Sequence, residues 1–361
     1  MKKNRYYLLA VIILTIVVVL LFLNNSTSTF HKTSSDFAVD DTSNITKIFM
    51  SDKNNNMLTL TRQLPGFSWI VNGQYPGQKF NINLLMGTML NIAVKQPVPV
   101  AAHNTVIRQL ATSSVKVEVY QWVYRIDLLG IRWFPHEKLT KVYYVGGATQ
   151  DNHGSFMLME HSTEPFVTYL PGLRGFVSPI YMPIEKYWRD YTVFKKEMNE
   201  IRSVTVAFRE IPDQSYEIIR SRAGLRFKSL ADNQDIFDYD TLKILGFLSS
   251  FRNLNFEALM NDMEKHRKDS VLSTQPFVEI TVMDTSNVAH HVKIFHKGTA
   301  PGQTDYQGKP LLYDLDRAYA LVNQDRDFVL LQFFVFDKVL KPRKSFLKGY
   351  KEEQIYQMDE K

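Results

Sequence analysis

The sequence predicts an α+β chain: an N-terminal transmembrane helix, then two similar mixed α/β modules with largely antiparallel sheets, a tandem internal repeat. Three observations predict it. Residues 6–23 form an apolar run without a charge. Beyond it, short segments that alternate apolar and polar residues outnumber those with helical spacing. The order of these segments before residue 190 is met again after it.

The apolar run is 18 residues long with Thr15 its only plainly polar member, near the length that spans a hydrocarbon core as a helix. Its β-branched residues are no obstacle, because lipid offers the backbone no other hydrogen-bond partner than itself. Asn24 and Asn25 follow, and Ser26 and Ser28 make a poor cleavage site, so an anchor is expected rather than a removed signal peptide. Lys2, Lys3 and Arg5, within residues 1–5, place the N-terminus in the cytoplasm. Residues 24–36 are polar and Ser/Thr-rich, a tether. The chain has no cysteine, which excludes disulfides, thiolate metal sites, a cysteine nucleophile and a lipid-modified N-terminal cysteine. The expected location is a bacterial inner (cytoplasmic) membrane, single-pass, with a periplasmic body and the bilayer as a partner through residues 6–23.

The first module is expected over residues 37–190. Residues 44–51 and 57–62 alternate as strands around an Asp-Lys-Asn-Asn-Asn turn, and 67–71 adds a third strand with Trp69. Residues 80–93 place Ile82, Leu85, Met86, Met89 and Leu90 at helical spacing, and Pro97 and Pro99 end that helical region. A second helix fits 104–110, followed by strands at 115–124, 139–146, 154–160 and 166–170. The second module, 191–340, retraces the order. Strands are expected at 201–209 and 215–220, a helix at 239–251, a short helix at 256–265, and strands at 277–284, 289–297, 317–322 and 328–336. Residues 341–361 read as a charged tail.

The net charge of +6 does not point to nucleic acid: half of it comes from Lys2, Lys3 and Arg5. The group Lys338, Lys341, Arg343, Lys344, Lys348 and Lys351 lies in no nucleic-acid motif. It reads as solvated, with acidic partners or lipid headgroups as the alternative.

The stretch FAVDDTSNITKIFMSDKNNNMLTLTRQLPGFSWIVNGQYPG, the helix with Leu84, Leu85 and Leu90, and KVYYVGGATQDNHGSFMLM together resemble DUF4340, a domain of unknown function, in its membrane-anchored Bacteroidetes form. The resemblance covers most of residues 37–340 and rests on a Trp in an early strand, a Tyr-Val-Gly-Gly turn and apolar periodicity. It implies a supporting role in the envelope, beside components of ABC-type export and gliding-motility systems, and brings no catalytic residues. Residues 121–138 (QWVYRIDLLGIRWFPHEK) depart from it, being longer and more apolar than a plain hairpin turn.

The sequence holds no Walker loop, no G-x-G-x-x-G, no G-x-S-x-G and no H-E-x-x-H. In an alternating strand His290 and His296 share a face that His291 does not, so the three read as ordinary strand residues rather than a metal site. Asp151 and His153 sit in a turn-like string, with His161 beyond it. Asp235, Asp238 and Asp240 lack the Gly and Glu of a calcium loop, and Asp240 reads as a helix cap. Gly146 and Gly147 read as a tight turn, and Trp69 and Trp188 as core. One string remains. Leu128, Leu129, Ile131, Arg132, Trp133 and Phe134 are expected to expose apolar side chains at a hairpin tip, where a membrane-protein partner or the bilayer interface would be met. The expected function is non-enzymatic: a membrane-anchored envelope protein without cofactor, an interaction or accessory component. The alternatives are an extracytoplasmic small-molecule sensor and an envelope-polymer hydrolase.

Overall fold

Alternating burial along short segments builds most of this molecule. The computed structural model describes Tyr7, residues 11–16 and residues 35–351 apart from 64–67, 129–130, 223, 301 and 306, with 126–128 and 131–132 described by their backbone. The chain divides into two units, residues 1–190 and 191–361.

In the first unit, β1 (Ile45–Ser51), β2 (Met57–Arg62), β3 (Trp69–Val71) and β4 (Tyr75–Pro76) form a meander. Then come α1 (Lys79–Asn91), β5 (Ala93–Pro97) and α2 (Val100–Ser113), and a second meander of β6 (Val115–Leu128), β7 (Ile131–Ala148), β8 (Ser155–Met159) and β9 (Phe166–Tyr169). The two meanders join along β1 and β6, giving the order β4-β3-β2-β1-β6-β7-β8-β9-β5 with every pairing antiparallel. In β1, Ile48 and Met50 are fully buried while Lys47 and Phe49 on the alternate positions are not. Asp52 closes the β1–β2 hairpin by accepting the N–H groups of Asn54 and Asn56 at 2.8 and 3.0 Å, and Asn55 takes the left-handed φ of 63°. Ile82, Leu85 and Met89 recur on one side of α1 and pack into the core with Leu60, Val117 and Tyr143.

The second unit contains β10 (Thr192–Phe194), β11 (Ile201–Phe208), β12 (Tyr216–Ser221), β13 (Gly224–Ser229), β14 (Asp235–Ile236), α3 (Thr241–Ser249), β15 (Leu254–Asn255), β16 (Ala258–Leu259) and α4 (Lys265–Leu272). It continues with β17 (Val278–Asp284), β18 (Ala289–Gly298), β19 (Tyr313–Val322), β20 (Asp327–Gln332) and α5 (Phe333–Phe336). Its large sheet runs β14-β13-β12-β11-β17-β18-β19-β20-β16, strand for strand the order of the first, and β10 pairs with β15 apart from it. The joints repeat as well. The N–H of Val39 donates to the Met89 carbonyl at 2.7 Å, and the N–H of Lys196 to the Phe251 carbonyl at 2.9 Å. The N-cap of α1, Gln78, donates its N–H to the Trp188 carbonyl at 2.7 Å; the N-cap of α3, Asp240, donates to the Phe346 carbonyl at 2.8 Å. In both large sheets the edge strands are blunted: β4 and β5 each end on a proline, and β14 and β16 are two residues long.

The expected class of α+β with a transmembrane helix is corrected. Among the described residues the molecule is mostly β, with 41% strand against 25% helix, on two large antiparallel sheets. Among the described residues no helix is long and apolar enough to cross a membrane. Most of residues 6–23 and of the tether 24–36 lies outside the described residues, as do 1–5 and 352–361. The balance shifts to strand for local reasons. The helical region does not persist up to Pro97; Ala93–Pro97 becomes β5 and pairs with β9. Residues 256–265, expected as a helix, contain β16, and the helix α4 begins only at Lys265. Residues 341–350, expected as tail, fold back: Ser345 and Phe346 are buried, and the Phe346 ring lies 5.1 to 5.7 Å from those of Tyr216, Phe227 and Phe247.

Candidate interaction site

The equivalent hairpins β6–β7 and β17–β18 end differently, and one side chain explains how. In the second unit the pairing of β11 with β17 reaches Ile201 opposite Asp284. There the Asp284 carboxylate accepts the N–H groups of Ser286 and Val288 at 3.0 and 2.9 Å, and Asn287 turns left-handed at φ 62°. That capture ends the strand and turns the chain. In the first unit the pairing of β1 with β6 reaches Ile45 opposite Gln121. Gln121 reaches instead to the Asp41 carbonyl at 3.0 Å and receives the Thr140 hydroxyl at 2.7 Å, so the strand is not turned. β6 and β7 run on together, pairing Trp122 with Glu137, Tyr124 with Pro135, Ile126 with Trp133 and Leu128 with Ile131.

The result is a two-stranded ribbon, residues 122–137, continuing past the end of β1. Among the described residues no third strand pairs with it. Glu137 fixes its base, accepting the Thr46 hydroxyl at 2.5 Å with the Lys47 ammonium at 3.8 Å. Further out, Trp133 is 59% and Phe134 63% exposed. Phe134 holds φ at 57°, a left-handed conformation costly for a bulky side chain, and it precedes Pro135. A bare two-stranded hairpin is marginal in water.

Of the six residues expected at the tip, Trp133 and Phe134 are exposed on β7. Leu128, Ile131 and Arg132 belong to the ribbon by backbone register, and Leu129 lies outside the described residues. The segment 121–138 is expected to be long and apolar, but its continuation as paired strand beyond residue 124 is not expected. Trp122 and Tyr124 start the same period-two series that continues through 126 and 128, an alternation visible in the string WVYRIDL.

The other candidates resolve into separate structural roles. His290 and Lys196 both meet Asp284, at 3.4 and 2.8 Å. His291 meets the Thr281 hydroxyl at 2.8 Å and Glu279 at 3.4 Å. His296 bonds Glu210 at 2.8 Å and is stacked between Phe277 and Tyr313 at centroid distances of 4.2 and 3.9 Å. Asp151 accepts the His153 N–H in a turn. Asp240 caps α3 by accepting the N–H of Leu242 at 2.9 Å, while Asp235 pairs with Arg226 and Asp238 with Lys348. Gly146 and Gly147 are not a turn but lie inside β7, where a Cβ on Gly146 would stand 2.5 Å from Leu110 on α2. Trp69 and Trp188 are buried, the latter donating its indole N–H to the Met182 carbonyl at 2.7 Å. Among the described residues no group of three or more His, Cys, Asp or Glu could hold a metal ion.

No family model, no curated protein and no solved structure matches this chain.

The Lys196 ammonium and the backbone N–H of Val288 hold the Asp284 carboxyl well below the usual carboxylate range. A depressed folded pKa stabilises the protein above the unfolded value of about 3.9 and loses that contribution as pH falls through the folded one. Asp284→Asn is therefore expected to lower the melting temperature at about pH 7, with the difference from wild type narrowing below about pH 4. Circular-dichroism melts across that range test it; a pH-independent loss would contradict it.

Proposed function

We propose that this protein acts by binding rather than catalysis, as a membrane-attached component of a cell-envelope assembly, and that a protein partner grips its ribbon. One observation carries the reading: of two units with the same strand order, one alone extends this hairpin, and the extension holds exposed Trp133 and Phe134. An element the sister unit omits is not needed to complete the sheet. Its β6 edge, free of proline, offers backbone donors and acceptors to an added strand, and its aromatic residues are the type that anchor interfaces. The apolar run 6–23 supports attachment to a bilayer, and its described side chains Tyr7, Val11 and Leu14 are exposed. The resemblance to DUF4340 adds transport-type envelope assemblies as the class of partner.

The test follows from the sister hairpin. Residues 122–137 are replaced by Thr-Ser-Asn, the residues between Asp284 and Val288, together with Gln121→Asp to rebuild the turn. The expected result is a cooperatively folded protein, with melting lowered at most by the lost Glu137 and Gln121 contacts, that no longer co-purifies its partner from mildly solubilised membranes. Wild-type co-purification by this variant would refute the reading. Partner-free loss of membrane binding instead would favour the bilayer interface as the ribbon's contact.

A further inference from the structure

The repeat presents one groove twice, and the two copies have diverged in charge. Each groove lies between the helix that follows the fourth strand of its sheet and the segment that follows the ninth. In the first unit α1 supplies Asn81 and Leu84, and the later segment supplies Ile180, Met182 and Trp188, around a cavity of about 300 Å³. No lysine, arginine or acid lines it. In the second unit α3 supplies Lys243, Gly246 and Phe247, and the later segment Lys338, Lys341 and Phe346, around a cavity of about 450 Å³.

The matched hydrogen bonds to the Trp188 and Phe346 carbonyls establish that these are the same place in the two frames. Residues 81 and 84 of α1 and 243 and 246 of α3 are likewise the third and sixth of their helices. The frame and its aromatic floor are kept, and three ammonium groups stand where the first unit has none. Lys243 donates to the Tyr350 carbonyl at 2.7 Å, a neutral acceptor that leaves its charge uncompensated. Among the described residues neither Lys243 nor Lys338 takes part in an ion pair. Asp337, beside Lys338 in the chain, acts electrostatically on Lys341 but does not line the cavity. The hydroxyls of Ser250 and Ser345 add polar groups to the lining.

We infer that the groove of the second unit binds an anionic amphiphile, with a phosphate or carboxylate head held by Lys243, Lys338 and Lys341 and an apolar body on Phe247 and Phe346. Its volume is that of a small-molecule site, and clustered cations over an apolar floor fit such a ligand from both ends. This stands independently of the ribbon.

Titration calorimetry on the full chain, at detergent concentrations below micelle formation, separates the terms. Octyl phosphate is expected to bind, with octyl glucoside and inorganic phosphate each at least about tenfold weaker. Lys338→Gln with Lys341→Gln is expected to weaken octyl phosphate about tenfold or more while melting is unchanged, and Lys348→Gln, away from the lining, to leave it alone. Equal binding of octyl glucoside would remove the role of charge. Equal binding of inorganic phosphate would remove the role of the floor. Unchanged affinity in the double variant would place the site elsewhere, and each result overturns the inference.

Discussion

Replacing Phe346 by alanine is expected to destabilise the second unit by about 3–5 kcal/mol, the range for emptying a buried aromatic site. The ring is 2% exposed and meets Tyr216, Phe227 and Phe247 edge-on. It also sits in the segment whose backbone takes the N–H of Asp240, the cap of α3. Loss of the ring would loosen both the core and the helix start. The neighbouring Tyr216 supplies a contrast. Its hydroxyl is buried without a hydrogen-bond partner among the described residues, and burial pushes the phenol well above its ordinary pKa. Tyr216→Phe removes that unsatisfied group and is expected to be neutral or stabilising by about 1 kcal/mol. Urea unfolding followed by circular dichroism measures both. A Phe346→Ala loss below about 1 kcal/mol would mean that residues 341–350 are a dispensable tail.

The second large effect concerns recognition. Trp133→Ser with Phe134→Ser is expected to reduce partner recovery from membranes at least tenfold, with unfolding unchanged within about 0.5 kcal/mol. Both side chains are exposed, so their loss opens no cavity. Phe134→Gly sharpens the argument. Glycine occupies a φ of 57° without the cost a phenylalanine bears, so this variant is expected to be at least as stable as wild type while still binding less. Quantitative co-purification beside thermal melts reads both. Unfolding of the double variant would show that the aromatic residues serve the fold instead.

Much of the strand pattern was legible because it obeys period two. The strand expected at 57–62 is β2 to the residue, and Asp240 caps its helix as read. What escaped reading has a physical cause in each case. β5 ends on Pro97, which the sequence assigns to a breaker, and it exists because β9 supplies the partner. Gly146 and Gly147 suggest a turn, but their lack of side chains serves the close approach of α2. Arg343 and Lys344 suggest solvated tail, whereas burial of Ser345 and Phe346 just after them decides the path of the segment. Residues 121–138 stand out as longer and more apolar than a plain turn, but not as strand paired out to Leu128 and Ile131, since nothing in one hairpin announces that its sister stops at Asp284. The lysines of the second groove come from a helix and a distant segment, a juxtaposition no linear reading brings together.

The blunted sheet edges have a consequence for how this protein behaves in a concentrated, crowded compartment. Prolines at the ends of β4 and β5, and strands of two residues at β14 and β16, deny neighbouring copies a template for strand addition. The ribbon has Pro135 on its β7 edge, but its β6 edge carries no such protection over Trp122–Tyr124. The molecule therefore concentrates its aggregation hazard in the one element proposed to meet a partner. Solubility and assembly become one selective pressure: an orphaned copy is the one prone to self-association, and occupancy of the ribbon hides the liability. Overproduction without the partner would expose it.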